Sequence, residues 1–231
     1  MSTSPTRKVA ATLGSALAPK VVELAPGVTY GFVQHALNRA IVGAGPLPGA
    51  AAAADKQLRE QDGDVDRAVR ELIENHVAYA GAGGFLTNIG GLVTAAVTIP
   101  TNVTGLALIQ CRMVAGIAHL RGYDLEDPRT RNAILVCLLG EEKVDRGVRS
   151  HKIPAPPMAL ATAPASDPEL TKTVTAQVAS ELLTRVAGKR LATTVGRRVP
   201  VVGGLVGAGA DGYGTWKIGR YASRELLPRA R

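Results

Sequence analysis

The sequence predicts an all-α fold, a single helical bundle built around two glycine-rich apolar helices. Three observations lead there. Apolar residues recur at three- and four-residue spacing between clear breakers, the signature of helices that bury one face. Period-two alternation, which strands need, is almost missing along the chain. The apolar share is 46% but the aromatic share only 3%, so the core must be made mostly of Ala, Val and Leu, which suits closely packed helices.

The elements follow in order. At the N-terminus, Arg7 and Lys8 precede a weakly apolar run that Thr12, Gly14 and Ser15 dilute, so residues 1–20 read as a flexible tail rather than a leader. Pro26 opens a helix expected to reach Val42, and GAGPLPG at 43–49 breaks it. Two more helices, 50–61 and 64–80, are separated at Gly63. In the second, Val65, Ala68, Val69, Leu72, Ile73 and Val77 form one stripe, with Asp64, Asp66, Arg67, Arg70, Glu71 and Glu74 largely opposite.

No residue from Val77 through Cys111 is charged. A spanning helix needs about 20 apolar residues, but Pro100 divides this run, and Thr and Asn flank it. Two helices are expected, roughly 83–98 and 101–121, joined as a hairpin. The first carries Phe85, Ile89, Leu92 and Ala96 on one face and Thr87, Gly91, Thr94 and Thr98 on another. The second turns Val103, Leu106, Met113 and Ile117 inward with Gln110 among them, and places Gly105, Arg112, Gly116 and His119 on a different face.

Asp127-Pro128 supplies a cap and first-turn proline for a helix expected to run to about Arg149. Residues 151–168 are rich in Pro and Ala and read as a linker or long internal loop. A second cap at Ser166-Asp167-Pro168-Glu169 starts a helix toward Arg198, and Pro200 restarts the chain into PVVGGLVGAGADGYGTWKIGRYASRELL. Residues 21–231 are thus read as one domain.

The net charge of +8 is concentrated at one end: ten basic residues between Arg185 and Arg231 face only Asp211 and Glu225. Such an end favours an anionic partner. Tyr213, Trp216, Lys217, Arg220 and Arg224 share a broad face of the last helix, an arrangement that suits headgroup depth at a membrane surface. With few aromatics and no recognised nucleic-acid motif, anionic membrane lipids are the expected partner and nucleic acid is not. Phe85, Ile89, Leu92 and Val93 would add apolar contact. Asp211, Thr215 and Arg112 are candidate buried polar residues; a structural hydrogen bond between helices and a ligand-sensing contact both remain open for them.

Catalytic signals are thin. His35, His76, His119 and His151 are scattered without HExxH spacing, no GxSxG or Walker motif is present, and GAGADG at 207–212 lacks the Lys-Ser/Thr pair of a phosphate loop. No metal site or cofactor is expected. Cys111 and Cys137 fall in apolar helical patterns and read as buried thiols in a reducing compartment. Glu141-Glu142-Lys143-Val144-Asp145 reads as a solvated charge cluster.

Residues 84–140, from GFLTNIGGLVTAAVTIP to AILVCLLG, resemble the core of the EcsC family of bacterial proteins. RRVPVVGGLVGAGADGYGTWKIGRYA at 197–222 is similar to that family's C-terminal signature. The resemblance extends over most of the chain from about residue 35 and is loosest at 141–181. It implies a helical, membrane-associated protein, since the family is named after a gene beside ABC-transporter components, and it brings no catalytic residues. The resulting expectation is a non-catalytic membrane-surface or lipid-binding protein. It would be cytoplasmic, peripherally held at the inner face of the membrane, and able to regulate a membrane-embedded partner such as an ABC transporter. A scaffold whose apolar hairpin docks another protein, and a lipid-directed hydrolase, are the alternatives.

Overall fold

The architecture is organised about one helix, Thr101–Leu120, that other helices surround almost completely. A computed structural model describes residues 26–44, 47–81, 101–195 and 200–229. In chain order these form α1 (Pro26–Val42), the two-residue strands β1 (Gly43–Ala44) and β2 (Leu47–Pro48), α2 (Ala50–Glu60), α3 (Val65–Gly81) and α4 (Thr101–Leu120). They continue with α5 (Pro128–Cys137), α6 (Glu141–Arg149), α7 (Pro157–Ala161), α8 (Pro168–Val195) and α9 (Pro200–Glu225). The strands pair antiparallel, Gly43 with Pro48 and Ala44 with Leu47, and merely close the turn between α1 and α2. The fold is all-α.

Helix α4 packs against α1, α2, α3, α5, α8 and α9. The reason lies in its side chains. Ala107, Cys111, Ala115 and Ala118 are small, Met113, Val114 and Ile117 fill the space between neighbours, and all are buried. The two-faced helix read from sequence is therefore corrected: Gly105 and Gly116 are buried along with the apolar set, and Leu106, placed inward, is only half-buried. A Cβ on Gly116 would lie 2.7 Å from Leu72 Cδ2, so α3 and α4 touch nearly backbone to side chain there.

Helix α9 closes the bundle against α3, α4 and α5. Its contact face is Gly212, Thr215, Ile218, Gly219 and Ala222, all buried. At Gly219 a Cβ would meet Ile73 Cγ1 at 2.9 Å and Met113 Sδ at 3.0 Å, and at Gly212 it would lie 3.6 Å from the Val77 carbonyl oxygen. Gly212 beside Val77 and Gly219 beside Ile73 make α9 antiparallel to α3.

Two expectations for the middle of the chain are corrected. The helix predicted from Pro128 to Arg149 is two helices, because Gly140 adopts φ 82°, a left-handed backbone that stops α5 and starts α6. Asp127 caps α5 as expected, its Oδ1 accepting the Arg129 amide at 2.8 Å. Residues 151–168 are packed rather than a spacer. Ile153 lies against Gly147, and the one-turn α7 buries Pro157, Leu160 and Ala161, packing against α5.

Downstream, Tyr123 fastens the end of the chain. Its hydroxyl donates to the Leu227 carbonyl at 2.9 Å, Arg229 lies over its ring at 5.4 Å, and the Arg229 amide bonds the Arg121 carbonyl. The expected first hairpin helix with Phe85, Ile89, Leu92 and Val93, and the N-terminal tail, lie outside the described residues. Among the described residues no helix is long and apolar enough to cross a membrane.

Candidate functional site

Burying Gly212, Thr215 and Gly219 forces the other side of α9 outward, and the residues there are unusual for a surface. Tyr213 is 62% exposed and Trp216 44%. Their rings stack with centroids 5.9 Å apart and planes inclined by 19°. Lys217 Nζ lies 5.9 Å from the Tyr213 centroid, and Arg220 Cζ lies 5.9 Å from the Trp216 centroid. The result is a four-layer strip, cation, ring, ring, cation. Each exposed cation–ring contact contributes about 0.5–1 kcal/mol, enough to order the strip without consuming the charges. Trp216 thus does not pack inward; Tyr221 does.

Arg224, expected on the same face, is differently engaged: its guanidinium pairs with Glu141 of α6. Lys143 of α6 pairs with Glu181 of α8, and Arg146 holds Glu142 at 2.6 Å. The acidic-basic cluster is exposed, as sequence suggested, and through Glu141 and Lys143 it also links α6 to α9 and α8.

Between these helices lies a groove of about 910 Å³. Leu106 and Ala107 from α4, Leu139 from the α5–α6 turn, Leu182 from α8 and Ile218 from α9 make its walls apolar, and Trp216, Lys217 and Arg220 stand at its lip. Gln110 also lines it. This side chain is 2% exposed, its Nε2 donates to Thr215 Oγ1 at 3.1 Å, and its Oε1 is buried without a hydrogen-bond partner.

The three candidate buried polar residues separate. Thr215 is buried and engaged by Gln110, a bond between helices. Asp211 is half-buried at the groove margin rather than desolvated. Arg112, also half-buried, lies beside His76 and Tyr79 of α3, and burial lowers its pKa. His76 itself is 3% exposed. Its Nδ1 lies 2.7 Å from the Leu72 carbonyl oxygen, which only accepts, so Nδ1 carries the proton and the buried, unpartnered Nε2 does not. Burial pulls the His76 pKa down to about 4, and the Arg112 charge adds to the effect.

Both cysteines are buried free thiols, and burial raises the pKa of Cys111 to about 12. Among the described residues no three His, Cys, Asp or Glu side chains group to hold a metal ion.

Sequence spacing found Tyr213, Trp216, Lys217 and Arg220. It passed over Leu139, Glu141 and Leu182 as parts of the site: the first two are placed by the break at Gly140, and Leu182 reaches them from α8. The one local signal for that break is the glycine itself after an apolar Leu-Leu pair.

No match was found among curated proteins or among solved structures. The family model described as the EcsC protein family matches residues 52–229, from α2 through the Tyr123-fastened C-terminus and including every described element of the groove and strip. By that match the chain belongs to the EcsC protein family.

Proposed function

We infer that this protein is a non-catalytic membrane-surface binder that engages anionic lipid headgroups through α9, held peripherally at the inner face of a membrane. The observation that carries this reading is the strip of Lys217, Tyr213, Trp216 and Arg220 on one exposed face. Stacked amphipathic rings suit the headgroup layer, where their apolar faces leave water and their polar edges stay hydrated. Flanking cations meet lipid phosphates, each adding about 1 kcal/mol near an anionic surface. Arg224 is left out of the headgroup contact because Glu141 already neutralises it.

Co-sedimentation with vesicles tests the reading. Binding to phosphatidylglycerol-containing vesicles should exceed binding to phosphatidylcholine and weaken with salt. Lys217→Ala/Arg220→Ala together remove about 2 kcal/mol, so binding should fall roughly thirty-fold. Equal binding by the double variant, or none to either vesicle, would overturn it.

A further inference from the structure

The groove beside the strip carries charge of both signs, and a purely anionic surface contact uses only one of them. On the α6 and α8 side, Glu141, Glu142 and Glu181 are paired with Arg224, Arg146 and Lys143. Asp211, at the α9 margin, is already engaged as well. Asp145 differs: it is exposed on the groove lining and has no ion-pair partner among the described residues. Burial raises the pKa of Tyr221 on α9 and the Asp145 charge adds to it, so this carboxylate lies within electrostatic range of α9. On the α9 rim, Lys217 and Arg220 rest on aromatic rings and have no carboxylate partner among the described residues.

These charges and the walls between them define the occupant. The volume of about 910 Å³ falls within the roughly 300–1,000 Å³ of small-molecule sites, so a single molecule fits and a folded domain does not. Leu106, Ala107, Leu139, Leu182 and Ile218 call for an apolar body. Two cations on the α9 rim call for an anion, and the uncommitted carboxylate of α6 calls for a cation, so the polar end of the ligand carries both. That cation is a primary ammonium. Quaternary ammonium groups are held by open aromatic faces. Here Tyr213 and Trp216 cover one face of each other, and Lys217 and Arg220 cover the remaining two. A carboxylate accepts N–H donors instead, of which a primary ammonium has three and a quaternary one none.

We propose that the groove binds a single acyl chain ending in phosphoethanolamine, a lysophosphatidylethanolamine, with its chain on the apolar walls, its phosphate at Lys217 and Arg220 and its ammonium at Asp145. The phosphate contact rests on the lipid reading of α9; the ammonium contact is independent of it.

Trp216, the one tryptophan of the chain, lines the groove and reports occupancy. The full-length protein is titrated with lysophosphatidylethanolamine, lysophosphatidylcholine and lysophosphatidylglycerol of one chain length, each kept monomeric and without vesicles, while Trp216 emission is followed. Saturable binding is expected, with the ethanolamine lipid bound roughly three-fold tighter than the other two, the size of one exposed ion pair. Asp145→Asn should erase that preference, weakening the ethanolamine lipid and strengthening the glycerol lipid, while Asp145→Glu should keep it. Lys217→Ala/Arg220→Ala should weaken all three alike. A Cβ at Gly214, on the groove lining, meets nothing within 4 Å, so Gly214→Leu fills the groove and should abolish binding of all three.

Equal affinities for the ethanolamine and glycerol lipids, a preference that survives Asp145→Asn, no saturable response, or undiminished binding by Gly214→Leu would overturn the proposal. Binding to phosphatidylglycerol vesicles without a lysolipid response would sink the groove and spare the surface reading. A lysolipid response without vesicle binding would do the reverse. An Asp145-dependent preference for phosphatidylethanolamine in vesicles, with no response to the monomers, would move the contact to the bilayer and end the single-chain assignment. A dimer in sedimentation velocity that lysophosphatidylethanolamine fails to dissociate would give the groove to a second copy, against the proposal.

Discussion

Acidification should destabilise this protein through His76, by an amount set by its burial. The side chain sits between α3 and α4 with its Nδ1–H committed to the Leu72 carbonyl, so a second proton would have to enter at the buried Nε2 beside Arg112. Its pKa falls from 6.5 to about 4 for that reason. In the unfolded chain the ring takes up a proton near pH 6.5, which the folded chain refuses until about pH 4. Stability is therefore fully present above pH 6.5 and lost as pH falls toward 4. A depression of that size corresponds to about 3 kcal/mol, a large part of the roughly 5–15 kcal/mol typical of a domain. Urea denaturation followed by far-ultraviolet circular dichroism at steps from pH 7 to pH 4 measures it. Carboxylates titrate in the same range, so the diagnostic quantity is the difference between the native chain and His76→Gln, whose stability should decline less steeply. Parallel declines in the two proteins would refute the assignment.

Two further outcomes follow from packing. Gly219→Val brings side-chain atoms onto Ile73 and Met113, already 2.9–3.0 Å from an added Cβ, and should lower stability by about 1–3 kcal/mol; Gly214→Ala, with open space around its Cβ, should leave the melting temperature unchanged or raise it. Tyr123→Phe removes the bond to the Leu227 carbonyl, so stability should drop by about 1 kcal/mol and the Arg229 amide should exchange with solvent faster, as hydrogen exchange would reveal.

The parts of the fold legible in sequence were those decided by local chemistry. Pro26 opens α1, GAGPLPG ends it, Gly63 divides α2 from α3 and Asp127 caps α5, each acting within a few residues of itself. What sequence missed was decided at a distance. Leu138 and Leu139 continue the apolar pattern of α5, so nothing before Gly140 announces a stop. Proline-rich residues 151–168 look like a spacer until α5 and Gly147 are in place to receive Leu160 and Ile153. For α4 the error was one of environment: a helical wheel presumes one wet side, and on a helix enclosed by neighbours only Leu106, Arg112 and His119 stay partly exposed among residues 105–120. The strip on α9 was readable because all four residues lie on one helix. The groove was not, because its walls come from α4, α8, α9 and the α5–α6 turn.

The glycines of α9 link these observations. Gly219 lets the helix settle against Ile73 of α3 and Met113 of α4, and that contact fixes its rotation. Rotation in turn decides two things at once: Thr215 points at Gln110 on the buried side, and Tyr213, Trp216, Lys217 and Arg220 stand outward. Glycine in a helix costs about 1 kcal/mol relative to alanine, so its use here makes sense where close approach returns more than that. An alanine at 219 would favour the isolated helix but hold α9 farther from α3, pulling Thr215 off the Gln110 amide. The same small residues that make the last helix intrinsically weak are what place its aromatic-cationic face and its groove side by side.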